Sequence, residues 1–374
     1  MRRYSVRIPN RVVYSLGDTH GCGREVIKFV LGLELRAMLR HDESPAFIQL
    51  GDLCDGFAFP EGVDDEGLKA LSRQRVREIP ELARVLMNER NHFVDWRRDE
   101  GVRGQLTGRE LLDSTEHDVI TATYQALRCF ETLLLYARFQ RTHRRNFFVL
   151  FGNHDADLIR GRCAYGRQQK YLLFGLLGLS PDAVIRHMTE GLTRRVLRNP
   201  WIKWLNQRPH IALSADTVYM HGGPTGALSE RLAASHDFDA WLGEADAARS
   251  RGVNDPMFDE HHDFLSPDGA PNDWLMHPTR VTDFLEAAER PYLAVGHSPF
   301  LDFKKGPVLD LSNPSEEMRF KFRTPAQLPP EGRLIKHDTD MKRHGELWAC
   351  RHVVGSDVWT GIDAQFCETP LRRG

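Results

Sequence analysis

The sequence predicts an α/β fold in which a helix-covered sheet carries its chemistry at the ends of its strands. Three observations point there. Short apolar, β-prone runs recur; each is followed at once by glycine together with Asp, Asn or His; and stretches of helical period separate several of them.

The strand runs share one pattern. Val12-Val13-Tyr14-Ser15-Leu16 leads into Gly17-Asp18-Thr19-His20-Gly21, and Ala46-Phe47-Ile48-Gln49-Leu50 leads into Gly51-Asp52. Phe147-Phe148-Val149-Leu150-Phe151 leads into Gly152-Asn153-His154-Asp155, Thr217-Val218-Tyr219-Met220 into His221-Gly222-Gly223, and Tyr292-Leu293-Ala294-Val295 into Gly296-His297. In α/β sheets, ligands gather beyond the carboxyl ends of the strands. Glycine there allows tight turns and close approach of backbone to a ligand. Metal-type side chains at five strand ends are therefore placed to converge on one edge.

Between the strands the period turns helical. Residues 24–40 carry Val26, Ile27, Val30, Leu31, Leu35, Met38 and Leu39 close to a 3.6 repeat. Residues 79–96, with Ile79, Leu82, Val85, Leu86, Phe93 and Trp96, and residues 117–140, with Ile120, Tyr124, Leu127, Phe130 and Leu134, read as two more helices. A polar, glycine-containing stretch at 97–110 lies between them. Trp201 and Trp204 read as core residues of a helix leading into the His221 strand. Further on, 259–263 (DEHHD) and 266–273 read as loop, 302–332 as a long excursion, and 347–350 and 358–362 as closing strands.

Composition excludes several classes of function. The 374 residues are 41% apolar and 27% charged, enough to bury a sizeable core, and 50 basic against 52 acidic residues leave a net charge of −2. That balance supplies no general attraction to nucleic acid or to a membrane, and neither is expected as a partner. The N-terminus has no apolar run of signal-peptide length, and no apolar stretch approaches the ~18–20 residues of a membrane span. The expected location is the cytoplasm. Six cysteines without CxxC spacing read as free thiols. Cys22 and Cys54, next to the Asp/His motifs, read as small buried filler.

Asp, His and Asn at strand ends are ligands for divalent transition metals. Asp18, His20 and Asp52 can hold one cation. Asn153, His221 and His297 can hold a second, with Asp52 bridging. A mixed oxygen and nitrogen set suits Mn²⁺, Fe, Zn²⁺ or Co²⁺ better than Ca²⁺ or Mg²⁺. Two such ions bind phosphoryl oxygens, activate a bridging water and offset charge in an in-line displacement. His154, beside Asn153, is placed to protonate the leaving oxygen, with Asp55 or Asp155 to orient its ring.

The series GDTHG, GDLCDG, GNHD, HGG and GH resembles the phosphoprotein phosphatase branch of the calcineurin-like metallophosphoesterases, over residues 12 to about 300. That branch includes Ser/Thr protein phosphatases and bacterial diadenosine tetraphosphatases. The resemblance implies a two-sheet β-sandwich flanked by helices, with Asp18, His20 and Asp52 at one metal and Asp52, Asn153, His221 and His297 at the other. It makes His154 the general acid and Asp55 its orienting carboxylate. Three departures stand out. Gly56 occupies the place where the family usually has a phosphate-gripping arginine; Arg160, Arg162, Arg251 and Arg280 are the substitutes to consider. Residues 57–145 exceed the family's spacing and read as a helical insertion, a candidate cap, within a single domain spanning 1–374. The last motif lacks a second histidine two residues after His297, which favours the phosphatase branch. A late His337-Asp338-Thr339 segment resembles the family's Asp-Thr-Gly, with Asp340 in place of glycine.

The expected function is hydrolysis of phosphomonoesters on a phosphorylated protein or small molecule, by a hydroxide bridging two divalent ions, manganese first, with iron or zinc as alternatives. Cleavage of the phosphoanhydride of dinucleoside polyphosphates is the alternative enzyme reading, and a catalytically inactive binding protein is the non-enzymatic one.

Overall fold

The computed structural model describes residues 4–41, 44–54, 60, 62–161, 166–191, 194–223, 232, 237–253, 255, 278–297, 300–302, 319–321, 326–328, 333–337 and 347–371. DEHHD, residues 266–273, the Asp338–Asp340 stretch and most of 302–332 lie outside them.

Two mixed sheets dominate the fold. In one, β2 (Val12–Leu16), β3 (Ala46–Gln49) and β6 (Phe147–Val149) run parallel. They are extended antiparallel through β14 (Trp348–Val353), β15 (Trp359–Asp363) and β16 (Glu368–Pro370), in the order β16-β15-β14-β2-β3-β6. The second has the order β1 (Ser5–Arg7), β7 (Ile211–Leu213), β8 (Thr217–Met220), β9 (Tyr292–Val295), β13 (Leu334–Lys336), β12 (Ala326–Leu328); β8, β9 and β13 are parallel. The closing strands read from the sequence are β14 and β15. Two small ribbons pair β4 (His92–Arg97) with β5 (Gly101–Thr107), and β10 (Phe300–Asp302) with β11 (Arg319–Lys321).

Strand alternation explains how the sheets stack. Val13, Ala46, Ile48, Ala212, Tyr219, Ala294, Ile335, Cys350 and Trp359 come from both sheets and form one buried cluster between them. Their neighbours Val12, Tyr14, Leu16, Phe47, Val218, Met220, Leu293 and Val295 point outward into the core beneath the helices. Because both faces are buried, every residue of β2, β3 and β8 is buried.

The helices are α1 (Gly23–Leu39), α2 (Asp65–Glu78), α3 (Pro80–Leu86), α4 (Gly108–Asp113), α5 (His117–Thr142), α6 (Asn153–Arg160), α7 (Arg167–Leu176), α8 (Pro181–Glu190), α9 (Arg194–Leu197), α10 (Pro200–Leu205), α11 (Phe238–Arg251) and α12 (Pro278–Ala287). The first helix falls where its period placed it. Trp201 and Trp204 pack against the core from α10, with β7 interposed before the His221 strand. The long α5 is buried on most of its circumference because α1, α2 and α7 pack around it.

The helix expected at 79–96 is a shorter one. The α3 helix ends at Leu86, and His92-Phe93-Val94-Asp95-Trp96-Arg97 forms a strand that turns through 98–100 into β5. Phe93 and Trp96 lie three apart and mimic a helical period, but the aromatic and β-branched content of 93–96 and the glycine at 101 (φ 74°) favour a hairpin.

Polar ties lock the two sheets at defined points. Ser15 Oγ is 2.6 Å from His337 Nε2 across the sandwich. Asp216, between β7 and β8, accepts from His352 Nε2 of β14 at 2.8 Å and from the Gly355 amide at 2.6 Å. The His352 ring stacks on Trp359 at 4.2 Å. Burial works against the Asp216 carboxylate, yet the His352 and Gly355 donors hold its pKa down at about 2. A carboxyl pKa depressed on folding contributes stability above about pH 4 that is lost as pH falls toward 2. After allowance for partial hydration the contribution is about 1–2 kcal/mol. Asp216→Asn is therefore expected to lower the urea-unfolding free energy at neutral pH by that amount, and the gap from the parent should shrink between about pH 4 and pH 2. A gap that stays constant through this range removes the electrostatic account.

Candidate metal centre

The loops after β2, β3, β6, β8 and β9 meet at one end of the sandwich, and the backbone itself stitches them together. Main-chain N–H groups of Thr19 and His20 donate to the Asp52 carbonyl at 3.3 and 2.8 Å, and Gly21 donates to the Leu53 carbonyl at 2.9 Å. The Asp155 carboxylate accepts from Gly152, Leu53 and Cys54 amides at 3.1, 3.1 and 3.4 Å, tying the start of α6 to the loop after β3. The Gly296 amide donates to the His221 carbonyl at 3.0 Å, which joins the two loops of the other sheet.

These loops bring Asp18, His20, Asp52, Asn153, His154, His221 and His297 together. His221 Nδ1 donates to the Leu50 carbonyl at 2.8 Å, leaving Nε2 3.3 Å from Asp52 Oδ2 and 2.8 Å from Asn153 Oδ1. His297 Nδ1 lies 3.1 Å from the same amide oxygen and 3.2 Å from His221 Nε2. His20 Nε2 is 3.9 Å from Oδ2 of both Asp18 and Asp52. Asp52, His221 and His297 form one cluster of ligand atoms, and Asp52, His20 and His154 form a second. Asp52 belongs to both.

The convergence is reached through unusual backbone. His20 takes a left-handed conformation (φ 41°), as do Asp52 (φ 52°) and His297 (φ 70°). Non-glycine residues there carry strain that the surrounding structure must hold in place. Asn153 and His154 open α6, whose N-terminal amides are free of intrahelical partners, and the His154 amide donates to Asp52 Oδ1 at 2.9 Å.

Two glycines shape the cradle. A Cβ at Gly152 would collide with the Asp52 side chain and amide, and a Cβ at Gly51 (φ 117°) would lie 2.7 Å from His221 Nδ1. The donor set fits a divalent cation. The Asn153 amide meets the Asp52 carboxylate and the ring nitrogens of His221 and His297. Asp18 Oδ2 is buried without a hydrogen-bond partner. Oxygen and imidazole donors converging in this way suit a divalent transition-metal ion.

Electrostatics lead to the same place. Burial would raise the Asp18 and Asp52 pKa values, but His221, assisted by His154 and His20 at Asp52, holds both below the usual carboxylate range. Burial opposes a charge on His221, yet Asp52 and Asp18 raise its pKa well above that of a free imidazole. Asp155 is pushed up to about 7 by burial and by the Asp52 carboxylate, against its backbone donors.

Asp155 is thus a tie between loops rather than the orienter of His154. Asp55 lies outside the described residues, as do Gly56, Arg162 and Cys163, and nothing is described of the Arg280 side chain. Arg160 is buried and donates to the Val253 carbonyl at 2.8 and 2.5 Å, and Arg251 pairs with Asp255 at 2.6 Å. Both are committed to structural bonds. Cys22 and Cys54 are buried, and burial pushes the Cys22 thiol up to about 11, in keeping with inert filler. Gln49 is a residue the sequence reading passed over. Fully buried, its side chain accepts from the Gly51 amide at 3.0 Å and donates to the Gly17 carbonyl at 3.2 Å, clamping two ligand loops. An amide inside an otherwise apolar strand is the signal that marks it.

Because a side chain at position 152 would meet Asp52 directly, Gly152→Ala should lower bound metal at least about tenfold in a protein that keeps its circular dichroism spectrum. Elemental analysis after gel filtration measures this. Normal metal content would show that Asp52 is not held where the ligands need it.

No family model matches the sequence, and no curated protein matches it. Solved structures do. A cold-active protein tyrosine phosphatase superposes with a TM-score of 0.50 at 14% identity, covering 100% of this chain and 82% of that one. The cold-active enzyme of a psychrophilic Shewanella species gives 0.49 at 14% identity, covering 100% and 83%. A serine/threonine phosphatase from Saccharomyces cerevisiae gives 0.46 at 12% identity, covering 100% and 85%. The chain shares its fold, a two-sheet sandwich flanked by helices, with the first of these structures.

Proposed function

We propose that this protein is a metal-dependent phosphoric ester hydrolase acting on phosphomonoesters, with a phosphorylated protein as its substrate and the cytoplasm as its location. One observation carries the reading: Asp52 stands in two clusters of possible ligand atoms at once, and the more solvent-open His154 is a member of one of them. The phosphatases that share the fold supply the precedent.

Asp18, His20 and Asp52 would hold one divalent ion and Asp52, Asn153, His221 and His297 a second, with manganese proposed first and iron or zinc as alternatives for this mixed oxygen and nitrogen set. Two ions so held supply Lewis-acid activation of water and neutralise charge on the phosphoryl oxygens.

The side chains do the rest. His221 is held by the Leu50 carbonyl in the tautomer that leaves Nε2 free to ligate. The α6 N-terminus steadies Asp52 through the His154 amide. The His154 side chain is 23% exposed, while those of Asp18, Asp52 and His221 are at most 1% exposed. Its Nε2 lies 3.8 Å from Asp52 Oδ2, so it can meet a substrate at the mouth and hand a proton to the departing alkoxide. Asp55 is proposed as the carboxylate that orients this ring.

His154→Asn is expected to cut kcat for an aryl phosphate by roughly 10²–10⁴-fold while metal content stays normal. Loss of metal in that variant would instead make His154 a ligand. Asp52→Asn should deplete both ions together, measured by elemental analysis; retention of two tightly bound ions overturns its bridging role.

A further inference from the structure

The loop that carries Asp18 and His20 is gripped from two sides. On one side the loop after β3 takes its amides: Thr19 and His20 donate to the Asp52 carbonyl and Gly21 to the Leu53 carbonyl. On the other side stands α5. Arg128 Nε donates to the Gly21 carbonyl at 3.1 Å, and Nη2 of the same guanidinium donates to Cys22 Sγ at 2.9 Å. One turn along the helix, Thr132 Oγ1 accepts from the Gly23 amide at 3.0 Å. Residues four apart share a helix face, so both grips come from one stripe of α5.

Neither residue has the setting of a surface side chain. Arg128 is 9% exposed and Thr132 is fully buried. A guanidinium is costly to bury unless its donors are met. Here they are met by the backbone and thiol of a single loop, with the Glu25 carboxylate 3.5 Å away and the Tyr124 ring centre 5.9 Å from Cζ. The planar fork of arginine reaches Gly21 and Cys22 together, which the point charge of a lysine does not. The fit is close: a Cβ at Gly23 would lie 2.8 Å from Thr132, and one at Gly21 would lie 3.5 Å from Arg128 Cβ.

The stretch held in this way is strained. His20 and Gly21 both take positive φ, 41° and 84°, and His20 Nε2 stands 3.9 Å from Asp18 and from Asp52. Strained backbone persists only where its surroundings over-determine it. The Gly21 carbonyl and the Gly23 amide are the two points at which α5 does so. These bonds end on the loop after β2, whereas Asn153, His221 and His297 stand on the loops after β6, β8 and β9.

We propose that Arg128 and Thr132 are positioning residues for the metal centre, holding His20 through Gly21 and Gly23 and so setting the affinity of the ion that Asp18, His20 and Asp52 take. The proposal rests on the metal assignment of the proposed function. It goes beyond that assignment by naming a support that serves one ion and not the other.

The test titrates Mn²⁺ into the full, chelator-stripped chain by isothermal titration calorimetry, where the parent is expected to take two ions. Arg128→Met keeps the aliphatic stem and loses the donors. It should weaken one Mn²⁺ site about 10–100-fold and leave the other unchanged. Arg128→Met should add little to the loss caused by His20→Ala, which identifies the weakened site. Asp216→Asn, which removes a buried bond far from this loop, is the control for general destabilisation and should keep both sites. Arg128→Lys and Thr132→Val, each expected to weaken the same site about tenfold, serve where the methionine variant fails to fold. Parental affinity in every variant that folds, equal weakening of both sites, full additivity with His20→Ala, or the same loss in Asp216→Asn overturns the proposal. A parent that takes no Mn²⁺ rejects the metal reading and the proposal with it. Selective loss of one ion by a chain that hydrolyses no p-nitrophenyl phosphate would uphold the proposal and reject the phosphoesterase reading.

Discussion

Asp18 and Asp52 place two carboxylates, each almost wholly removed from water, at the same end of the sandwich, and a third, Asp155, lies just behind them. Buried charges of one sign are among the most expensive arrangements a fold can hold, and they persist only where compensating groups are fixed nearby. Much of the surrounding architecture reads as that compensation. The His221 ring lies within 3.3 Å of both carboxylates, held by the Leu50 carbonyl. The α6 N-terminus points a free amide at Asp52, and three more amides satisfy Asp155. A divalent cation held by these groups would complete the balance where the side chains alone enforce protonation of His221.

That requirement also accounts for the strand order. Carboxylates at the ends of β2 and β3 must meet imidazoles at the ends of β8 and β9, which belong to the other sheet. Only stacking of the two sheets with these strands central in each brings the four ends together. The polar ties of Ser15 to His337 and of Asp216 to His352 pin the stacking at separate points, so the sheets cannot slide without breaking buried hydrogen bonds. The long α5 belongs to the same core: it packs on α1, bonds through Thr132 to the Gly23 amide, and meets the loop after β2 through Arg128 and Cys129 at Gly21.

The convergence of these Asp, Asn and His residues was legible because the pattern repeats locally: an apolar run, a glycine, then Asp, Asn or His. The helix of 24–40 and the closing strands were legible for the same reason, a clear period over enough residues. The hairpin of β4 and β5 was not, since Phe93 and Trp96 fit both periods within a short window. Asp155 illustrates another limit. Adjacent to His154 in sequence, it is the obvious partner, but the helical start at Asn153 carries its carboxylate toward the amides of 53 and 54. Arg128 and Thr132 were invisible for a third reason. Each is an ordinary polar residue on a helix, and only the packing of α5 against the loop after β2 reveals that both are buried on its backbone.

Backbone strain distinguishes the candidate metal ligands from ordinary turn residues. Among the described residues, His20, Asp52 and His297 share left-handed backbone with His41, Ser44, Glu289 and Phe366. His41, Ser44 and Glu289 sit in exposed turns, where a neighbouring residue can relax and the conformation is cheaply held. The ligands have no such freedom. His20 and Asp52 are buried, His297 is half-buried, and each is fixed by a bond that a relaxed backbone would break: the His20 amide to the Asp52 carbonyl, the Asp52 carboxylate to the His154 amide, the His297 amide to Asp18. Strain of order 1–3 kcal/mol at each position is sustained by the close-packed sandwich behind it. A side chain aimed by strained backbone has few other directions to take, and that rigidity holds the candidate ligand atoms at fixed separations when the charge among them changes.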